Sequence, residues 1–217
     1  MKDTTDAALI YHHFRQLPGS DYIASEHAIA GLIKWLTRKQ PRRLLEVGAG
    51  IGTLTFTCLA TLHPIKARAP GYDFQLTSLE GNAFCLSVLP ENLSEQWERF
   101  ELTQNSPVFA AMPILFDFVI IDGGEQDPAF VSKVAPRGII YIEGFMGKKH
   151  ELIAATHRQR PYVGTNFRSR DRKSSYWIYQ FEPRLPEIIW FSVNTFYNRV
   201  RSSLQRRGKP TRPELSQ

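Results

Sequence analysis

The sequence predicts an α/β fold, in which helices cover both faces of a doubly wound, seven-stranded, mostly parallel sheet with a C-terminal antiparallel strand. Three observations support this fold class. Short apolar runs that are typical of buried strands alternate along the chain with helical patterns. Several of these runs end at glycine, or at an acid followed by glycine. The last two strand patterns are separated by only a short link, which predicts an antiparallel pair.

Length and composition place the chain among globular proteins. It has 217 residues, 42% hydrophobic and 22% charged, which predicts one domain with a short appendage and excludes wholesale disorder. The sequence has no run of 18 apolar residues, so it does not predict a membrane-spanning helix. The N-terminus has Asp3 and Asp6 and no apolar block, unlike a secretory signal. Cys58 and Cys85 lie in apolar segments, so we expect reduced packing residues and a cytoplasmic protein.

Positive charge is concentrated near the C-terminus. The net charge is +6, yet residues 1–183 hold 20 basic and 19 acidic residues, whereas residues 184–217 hold 7 basic and 2 acidic ones. A balanced body argues against a nucleic-acid-binding domain. We therefore expect a helical cap over 1–40, the main domain over 41–183, and an amphipathic helix with a basic tail after it.

The first half of the chain alternates helical and strand patterns. A helical lead-in ends at Pro18-Gly19, and an amphipathic helix over 21–39 follows it. Its apolar residues recur at helical spacing and are Ile23, Ile29, Leu32, Ile33 and Leu36. The elements expected next, in order, are strand 43–47, helix 53–62 closed by Pro64, strand 74–79, helix 83–89 and strand 100–103.

The second half contains the strongest strand pattern, the β-rich run over 116–122 that stops at Gly123-Gly124. The elements expected after it are helix 128–134, strand 138–143, helix 147–158, strands 162–167 and 176–181, and helix 186–204.

The most informative segment joins the first strand to the next helix. Residues 44–53 read Leu-Leu-Glu-Val-Gly-Ala-Gly-Ile-Gly-Thr, with glycines at 48, 50 and 52 and an acid at Glu46. Glycines after a buried strand let the backbone approach a ligand, and the next helix offers free N–H groups at its start. A nicotinamide-dinucleotide fingerprint needs glycine where this chain has Thr53. The pattern resembles motif I of the class I S-adenosylmethionine (SAM)-dependent methyltransferases, which implies a Rossmann-like fold and SAM as cofactor.

The resemblance continues in family order over about residues 22–182. Glu80 follows a strand 28 residues beyond Gly52, where the family has an acid whose two oxygens accept hydrogen bonds from the ribose hydroxyls. The run ending at Asp122 resembles the fourth strand, which delivers a carboxylate to the cleft. The cofactor-binding residues implied by the resemblance are Glu46, Gly48, Ala49, Gly50, Gly52, Glu80, Gly81, Asn105 and Asp122.

One stretch narrows the resemblance further. Residues 121–125, Ile-Asp-Gly-Gly-Glu, resemble a segment of the small-molecule O-methyltransferases of the catechol-type and methyltransferase-24 group, which implies O-methylation of a small molecule or glycan. Metal-dependent members bind a divalent ion through the first Asp and a later Asp-Asn pair. Here Glu143 and Gly144 replace that pair and Glu125 replaces a His. Asp122, Glu143 and waters can still hold Mg²⁺, but the missing amide favours a metal-free site, so no metal ligand is assigned.

A metal-free reaction needs a base within hydrogen-bond reach of the acceptor. The candidates are Asp122 and Glu143, at adjacent strand ends, and His150, since histidine has an ordinary pKa near neutrality. Three alternatives stay open. One is methylation of nitrogen or RNA, although no Asn-Pro-Pro-Tyr-like tetrad follows the fourth strand. The others are a non-catalytic binding module tethered through the C-terminal helix and, more remotely, an aminopropyltransferase, which shares the fold.

A basic cluster surrounds the predicted antiparallel pair and comprises Arg158, Arg160, Arg168, Arg170, Arg172 and Lys173. We expect this link to lie at the end of the sheet away from the cleft, where it would be a solvated loop. The alternative is contact with an anionic acceptor.

The C-terminal helix is the other unusual feature. A helical wheel places six apolar residues within one arc, namely Ile189, Val193, Phe196, Tyr197, Val200 and Leu204. Trp190 lies at the edge of this arc, and Ile188 and Phe191 lie off it. A run of basic residues with no acid follows. We favour packing of residues 186–204 on the domain or on a second subunit, and the alternative is peripheral contact with an anionic membrane.

Overall fold

The computed structural model describes residues 6–93, 101–104, 114–122, 129–144, 161–169, 171 and 173–207. The helices are α1 (Ala7–Arg15), α2 (Glu26–Lys39), α3 (Thr53–Arg68), α4 (Ala83–Leu93), α5 (Ala129–Ser132) and α6 (Leu185–Arg207). The strands are β1 (Arg43–Val47), β2 (Gln75–Glu80), β3 (Glu101–Gln104), β4 (Phe116–Ile121), β5 (Val134–Glu143), β6 (Tyr162–Arg168) and β7 (Ser175–Phe181). A short 3₁₀ turn, Ser20–Tyr22, precedes α2.

The strands form one sheet in the order β3-β2-β1-β4-β5-β7-β6. Strands β1 to β5 pair in parallel, whereas β7 is antiparallel to both of its neighbours. The α/β class and the Rossmann-like, mostly parallel sheet are therefore confirmed. The strand order reverses between β1 and β4, and open α/β sheets bind ligands at the carboxyl ends of the strands beside such a switch point.

The sheet carries a hydrophobic core on each face, because alternate side chains of a strand point to opposite sides. On one face Leu44, Phe118 and Tyr141 pack with helices α1, α2 and α3. On the other face Val119 and Ile140 pack with Phe130 and Val131 of α5 and with Phe181 of β7. These strands are buried on both sides, as expected for a sheet covered by helices.

Several element boundaries differ from the sequence predictions. Helix α3 continues through Pro64 to Arg68, although an interior proline removes one helical N–H donor. The predicted helix over 128–134 is only the short α5, and β5 starts at Val134, which pairs with Phe116 before a shift in register. The predicted helix over 147–158 lies outside the described residues. Cys58 and Cys85 are free thiols, as predicted.

Helix α6 packs against the domain through a face other than the predicted one. Phe191 is 3% exposed, and it stacks on Trp35 of α2 with ring centroids 6.1 Å apart. The Asn198 side-chain amide donates to the Asn166 carbonyl of β6 at 2.9 Å. Trp190 completes this aromatic contact, 5.5 Å from the Trp35 ring. The inward face therefore consists of the aromatic residues that the helical wheel placed off the arc or at its edge.

The predicted apolar arc is the outward face of α6. Ile189, Val193, Phe196 and Tyr197 are 55%, 61%, 69% and 62% exposed. The expectation that this arc packs on the domain is wrong, because the aromatic cluster around Trp35 holds the opposite side of the helix. Among the described residues, no helix is long and apolar enough to cross a membrane.

Candidate active site

The glycine-rich loop folds over the ends of β1 and β2. The N–H groups of Gly48 and Ala49 donate to the Leu79 carbonyl at 2.9 and 3.1 Å. The three glycines of the motif have φ angles of 86°, 56° and 102° at positions 48, 50 and 52, a left-handed region that glycine enters without a steric penalty. Gly52 then begins α3 as its N-cap. The backbone N–H groups at the start of α3 therefore lie beside the loop.

Glu80 ties this loop to the start of α4. One carboxylate oxygen, Oε2, accepts a hydrogen bond from the Gly50 N–H at 2.7 Å. The other, Oε1, accepts from the N–H groups of Gly81 and Asn82 at 2.8 and 2.7 Å. A carboxylate has about four acceptor positions, so these three donors leave room for a further one. The side chain therefore joins the glycine loop at Gly50 to the turn at Gly81 and Asn82 that leads into α4.

Glu46 of β1 connects this strand to α3 and β2. It is completely buried, and its Oε2 accepts hydrogen bonds from the hydroxyls of Thr55 at 2.5 Å and Ser78 at 2.6 Å. Burial raises the pKa of Glu46 to about 7, and the Glu80 charge adds to the rise, although the two hydroxyls oppose it. Its other oxygen is buried with no hydrogen-bond partner among the described residues. Glu46 therefore does not reach the cavity described next.

A cavity of about 240 Å³ lies in front of the loop. Its walls come from the segment before α2, the glycine loop, the start of α4 and the end of β4. The lining residues are Gly19, Tyr22, Ile23, Ala24, Ala49, Gly50, Ile51, Thr53, Asn82, Phe84, Cys85 and Asp122.

The N-terminal segment makes close contact with the loop and α4. A Cβ atom added to Gly19 would lie 2.6 Å from Phe84 Cε1 and 2.9 Å from Ile51 Cγ2. Sequence reasoning missed this wall, as well as Phe84 and Cys85, because the contacts join segments that are far apart in the chain. Pro18-Gly19 indicated a turn, but nothing in the sequence indicated that this turn contacts Phe84.

The carboxylates predicted as bases stand at the ends of neighbouring strands. Ile121 pairs with Ile142, so Asp122 and Glu143 follow at the same edge. Asp122 lines the cavity, and its N–H donates to the Val47 carbonyl at 3.0 Å. Tyr141 lies on β5 two residues before Glu143, and its buried hydroxyl donates to the Ala28 carbonyl of α2 at 2.6 Å. Burial raises the pKa of Tyr141 first of all, and the charges of Glu143 and Asp122 raise it further.

The structure brings most of the predicted site residues to one edge of the sheet. Ala49, Gly50 and Asp122 line the cavity. The predicted residues around it, without lining it, are Glu46, Gly48, Gly52, Glu80, Gly81 and Glu143. Asn105, His150 and Glu125 lie outside the described residues.

The described part of the chain contains no group of three His, Cys, Asp or Glu side chains that would hold a metal ion. The segments that follow Asp122 and Glu143, residues 123–128 and 145–160, are not described.

Arg168, where the basic link between β6 and β7 begins, lies at the same edge as the cavity, contrary to expectation. Arg158, Arg160, Arg170 and Arg172 of the predicted cluster lie outside the described residues. Arg168 pairs with Ser175, one step beyond the Glu143 end of β5, which pairs with Tyr176. The prediction assumed that the link would close the opposite end. Instead, β6 runs parallel to β5, so it ends at the carboxyl edge of the sheet. Strand β7 is two places from β4, roughly 10 Å at the usual strand spacing.

Comparison with known proteins finds matches in structure alone. No protein-family model and no curated protein matches the sequence. The fold is similar to that of a methyltransferase of Podospora anserina with S-adenosylhomocysteine (SAH) bound, at 12% identity over 82% of this chain and 88% of the other, with a TM-score of 0.62. It is also similar to an O-methyltransferase of Bacillus cereus in complex with SAH, at 12% identity, 81% and 90% coverage and a TM-score of 0.60.

A third structure is an O-methyltransferase of Streptomyces achromogenes involved in tomaymycin synthesis, in complex with SAM. It is 14% identical, with coverage of 84% of this chain and 91% of the other and a TM-score of 0.56. At these identities the likeness establishes the fold. The chain therefore has the fold of the class I SAM-dependent methyltransferases.

Proposed function

We propose that the protein is a SAM-dependent methyltransferase that methylates an oxygen of a small molecule. The observation that carries the proposal is the cavity at the switch point, where Ala49, Gly50 and Ile51 of the glycine loop meet Asp122. The structures with the same fold support it, because those of Podospora anserina, Bacillus cereus and Streptomyces achromogenes are methyltransferases with SAH or SAM bound.

The groups around the cavity suit the chemistry of SAM. Glu80 has one acceptor position left for a ribose hydroxyl beside Gly50, since three backbone N–H groups occupy the others. Ile51 and Phe84 give apolar walls for a flat base. Open space lies in front of Gly50, since a Cβ added there meets no atom within 4 Å. When bound, SAM supplies an electrophilic methyl group on a positively charged sulfonium. Glu46, which is buried beneath the loop, holds Thr55 and Ser78 in place and acts as a positioning residue.

The proton of the acceptor hydroxyl requires a base at the cavity. Asp122 lines the cavity and is the first candidate, with Glu143 beside it on the next strand. Tyr141 is unsuited to this role, because its hydroxyl is buried and donates to a carbonyl. If Mg²⁺ takes part, Asp122 and Glu143 would supply its carboxylate ligands, with water in the remaining positions. His150 stays a proposed alternative base on sequence grounds.

We propose that the segment up to residue 40 acts as a cap that helps to select the acceptor. Gly19, Tyr22, Ile23 and Ala24 form one wall of the cavity. The basic link supports an anionic acceptor, because exposed Arg168 lies at the cavity edge of the sheet. An acceptor with a carboxylate or phosphate some distance from its hydroxyl would suit this arrangement.

Calorimetric titration with SAM and SAH tests the cofactor proposal. We expect binding by the wild type and at least tenfold weaker binding by Glu80→Ala, since a hydrogen bond to a charged group contributes about 1.5–3 kcal/mol. Gly50→Asn provides a second disruption, because its side chain would enter the cavity and asparagine tolerates positive φ. Gly71→Asn is the matched control: Gly71 has a φ of 83° and open space around it but lies outside the cavity lining.

The expected pattern is loss of binding in Gly50→Asn and normal binding in Gly71→Asn, with similar thermal stability. Absence of SAM and SAH binding in the wild type would contradict the proposal. If the cofactor binds, transfer of labelled methyl groups to a panel of hydroxylated acceptors, with and without Mg²⁺, tests the reaction. Asp122→Asn should then lose turnover by at least a hundredfold, within the usual range for a general base.

A further inference from the structure

Helix α6 presents a continuous apolar row to the outside of the molecule. Six of the ten exposed large hydrophobic side chains among the described residues belong to this helix. Those in the row are Leu185, Ile189, Val193, Phe196 and Tyr197, each between 55% and 69% exposed. Their spacing of three or four residues keeps them on one side of the helix. Single exposed apolar side chains are ordinary, but a contiguous patch marks an interaction site.

The helix itself is firmly attached to the domain. Glu187 accepts hydrogen bonds from Lys39 Nζ at 3.4 Å and from an Arg137 guanidinium nitrogen at 3.3 Å. At the other end, Asn198 donates to the Asn166 carbonyl, and the buried Phe191 lies between these contacts. The outward position of the row is therefore fixed by three contacts on the opposite face.

The basic residues that follow the apolar row indicate which kind of surface the row binds. In the sequence, Val200 and Leu204 continue the same spacing of three or four residues. From residue 199 to 212 the chain has six basic residues and no acid, namely Arg199, Arg201, Arg206, Arg207, Lys209 and Arg212. An aromatic and aliphatic face beside a basic region is the pattern of a helix that lies in the interface of an anionic membrane.

We infer that the outward face of α6 binds the surface of an anionic lipid bilayer. A second copy of this chain fits the charges less well. Helices paired in parallel would bring together two copies of the four arginines near the end of α6, Arg199, Arg201, Arg206 and Arg207. In an antiparallel pair the basic end would meet the first turn of the partner helix, where the acid Glu187 is already engaged by Lys39 and Arg137.

The direction of α6 places its basic end at the cavity edge of the sheet. Helix α6 starts after β7, beyond Phe181, which pairs with the first residue of β6. Its Asn198 contacts Asn166, near the end of β6. The helix therefore runs toward the edge where Asp122 and Glu143 lie, and a bilayer bound along α6 would extend toward the cavity side.

Vesicle flotation tests the inference directly. The full chain is mixed with vesicles of phosphatidylcholine alone or with added phosphatidylglycerol, at low and high salt. We expect flotation only with the anionic vesicles, and less of it at high salt. Ile189→Glu/Phe196→Glu should abolish flotation without a change in thermal unfolding, since both side chains are exposed. The matched control is Leu9→Glu, which changes a 70% exposed residue on α1 and should float like the wild type.

A second variant separates charge from apolar contact. Arg199→Gln/Arg206→Gln should weaken binding to anionic vesicles roughly 30-fold, because each basic residue near such a surface contributes about 1 kcal/mol. Equal binding to neutral vesicles, or flotation of Ile189→Glu/Phe196→Glu at the wild-type level, would overturn the inference. The inference would also be overturned if the wild type did not float and formed a dimer in sedimentation velocity that the Ile189→Glu/Phe196→Glu variant dissociates. That result would assign the face to a second copy.

Discussion

The glycine loop and helix α6 teach opposite lessons about a sequence pattern. In the loop, glycine spacing predicted a tight turn after a strand, and the structure has that turn, with the Gly50 N–H donating to Glu80. In α6, the helical period correctly grouped Ile189, Val193 and Phe196 on one face. That face points outward, and Phe191, off the predicted arc, is buried instead.

The difference has a physical cause. A turn after a strand is decided by residues that are adjacent in the chain, because only glycine enters its φ angles cheaply. The face that a helix buries is decided by its partner. Trp35 and Phe167 provide that partner for α6, and both are distant from it in sequence. Helical periodicity predicts which residues share a face of the helix, but it does not predict which face packs on the core.

The largest expected effect comes from truncating each face of α6 in turn. Phe191→Ala should lower the free energy of unfolding by about 3–5 kcal/mol, the usual cost of removing a buried phenylalanine. Phe196→Ala should change it by no more than about 0.5 kcal/mol, since that side chain is 69% exposed. Urea denaturation of both variants measures the contrast. Equal losses, or a larger loss at Phe196, would mean that α6 is rotated in solution.

The loop is expected to respond to pH through Glu46. Its folded pKa of about 7 lies above the ordinary value of 4.5, so the folded state binds more protons between these values. The free energy of unfolding should therefore fall as pH rises from about 4.5 to 7, by roughly 3 kcal/mol. Denaturant titrations of the wild type and Glu46→Gln across this range measure the effect as their difference.

The matched control for that titration is Glu26→Gln, at an exposed position in the first turn of α2. It supplies the behaviour of an ordinary surface substitution for comparison. A difference between wild type and Glu46→Gln that does not change with pH would show that folding leaves the pKa of Glu46 at its ordinary value, and that the carboxylate is hydrated or paired in solution.

Much of the fold could be predicted because its signals are local. Strand 43–47 was predicted to the residue, and helix 186–204 differs from α6 by a few residues at each end. The start of β5 at Val134 was missed, because it depends on pairing with Phe116 across a register shift. The same limit applies to the cavity wall at Gly19, which depends on contact with Phe84. In both cases the sequence pattern did not identify the residue, distant in the chain, with which the contact is made.

A smaller effect tests how α6 is held in the orientation that exposes its row. Burial alone would raise the pKa of Glu187, but the Arg184 N–H and the charges of Lys39 and Arg137 outweigh it and lower the pKa to about 2. The Glu187 carboxylate also accepts from the Arg184 N–H at 2.7 Å at the start of the helix. Glu187→Gln should therefore cost about 1.5–3 kcal/mol of unfolding free energy at neutral pH, the usual range for hydrogen bonds to a charged group.

The sign of the pH dependence distinguishes this contact from that of Glu46. Because the folded pKa of Glu187 lies below its ordinary value of 4.5, its stabilisation is complete above that pH and is lost as pH falls toward 2. The difference between wild type and Glu187→Gln should then shrink on acidification, and Asp21→Asn, at an exposed position, is the surface control. A difference that persists at pH 2 would mean that the neutral carboxyl group holds α6 as well as the charged one, and that the ion pairs with Lys39 and Arg137 contribute nothing.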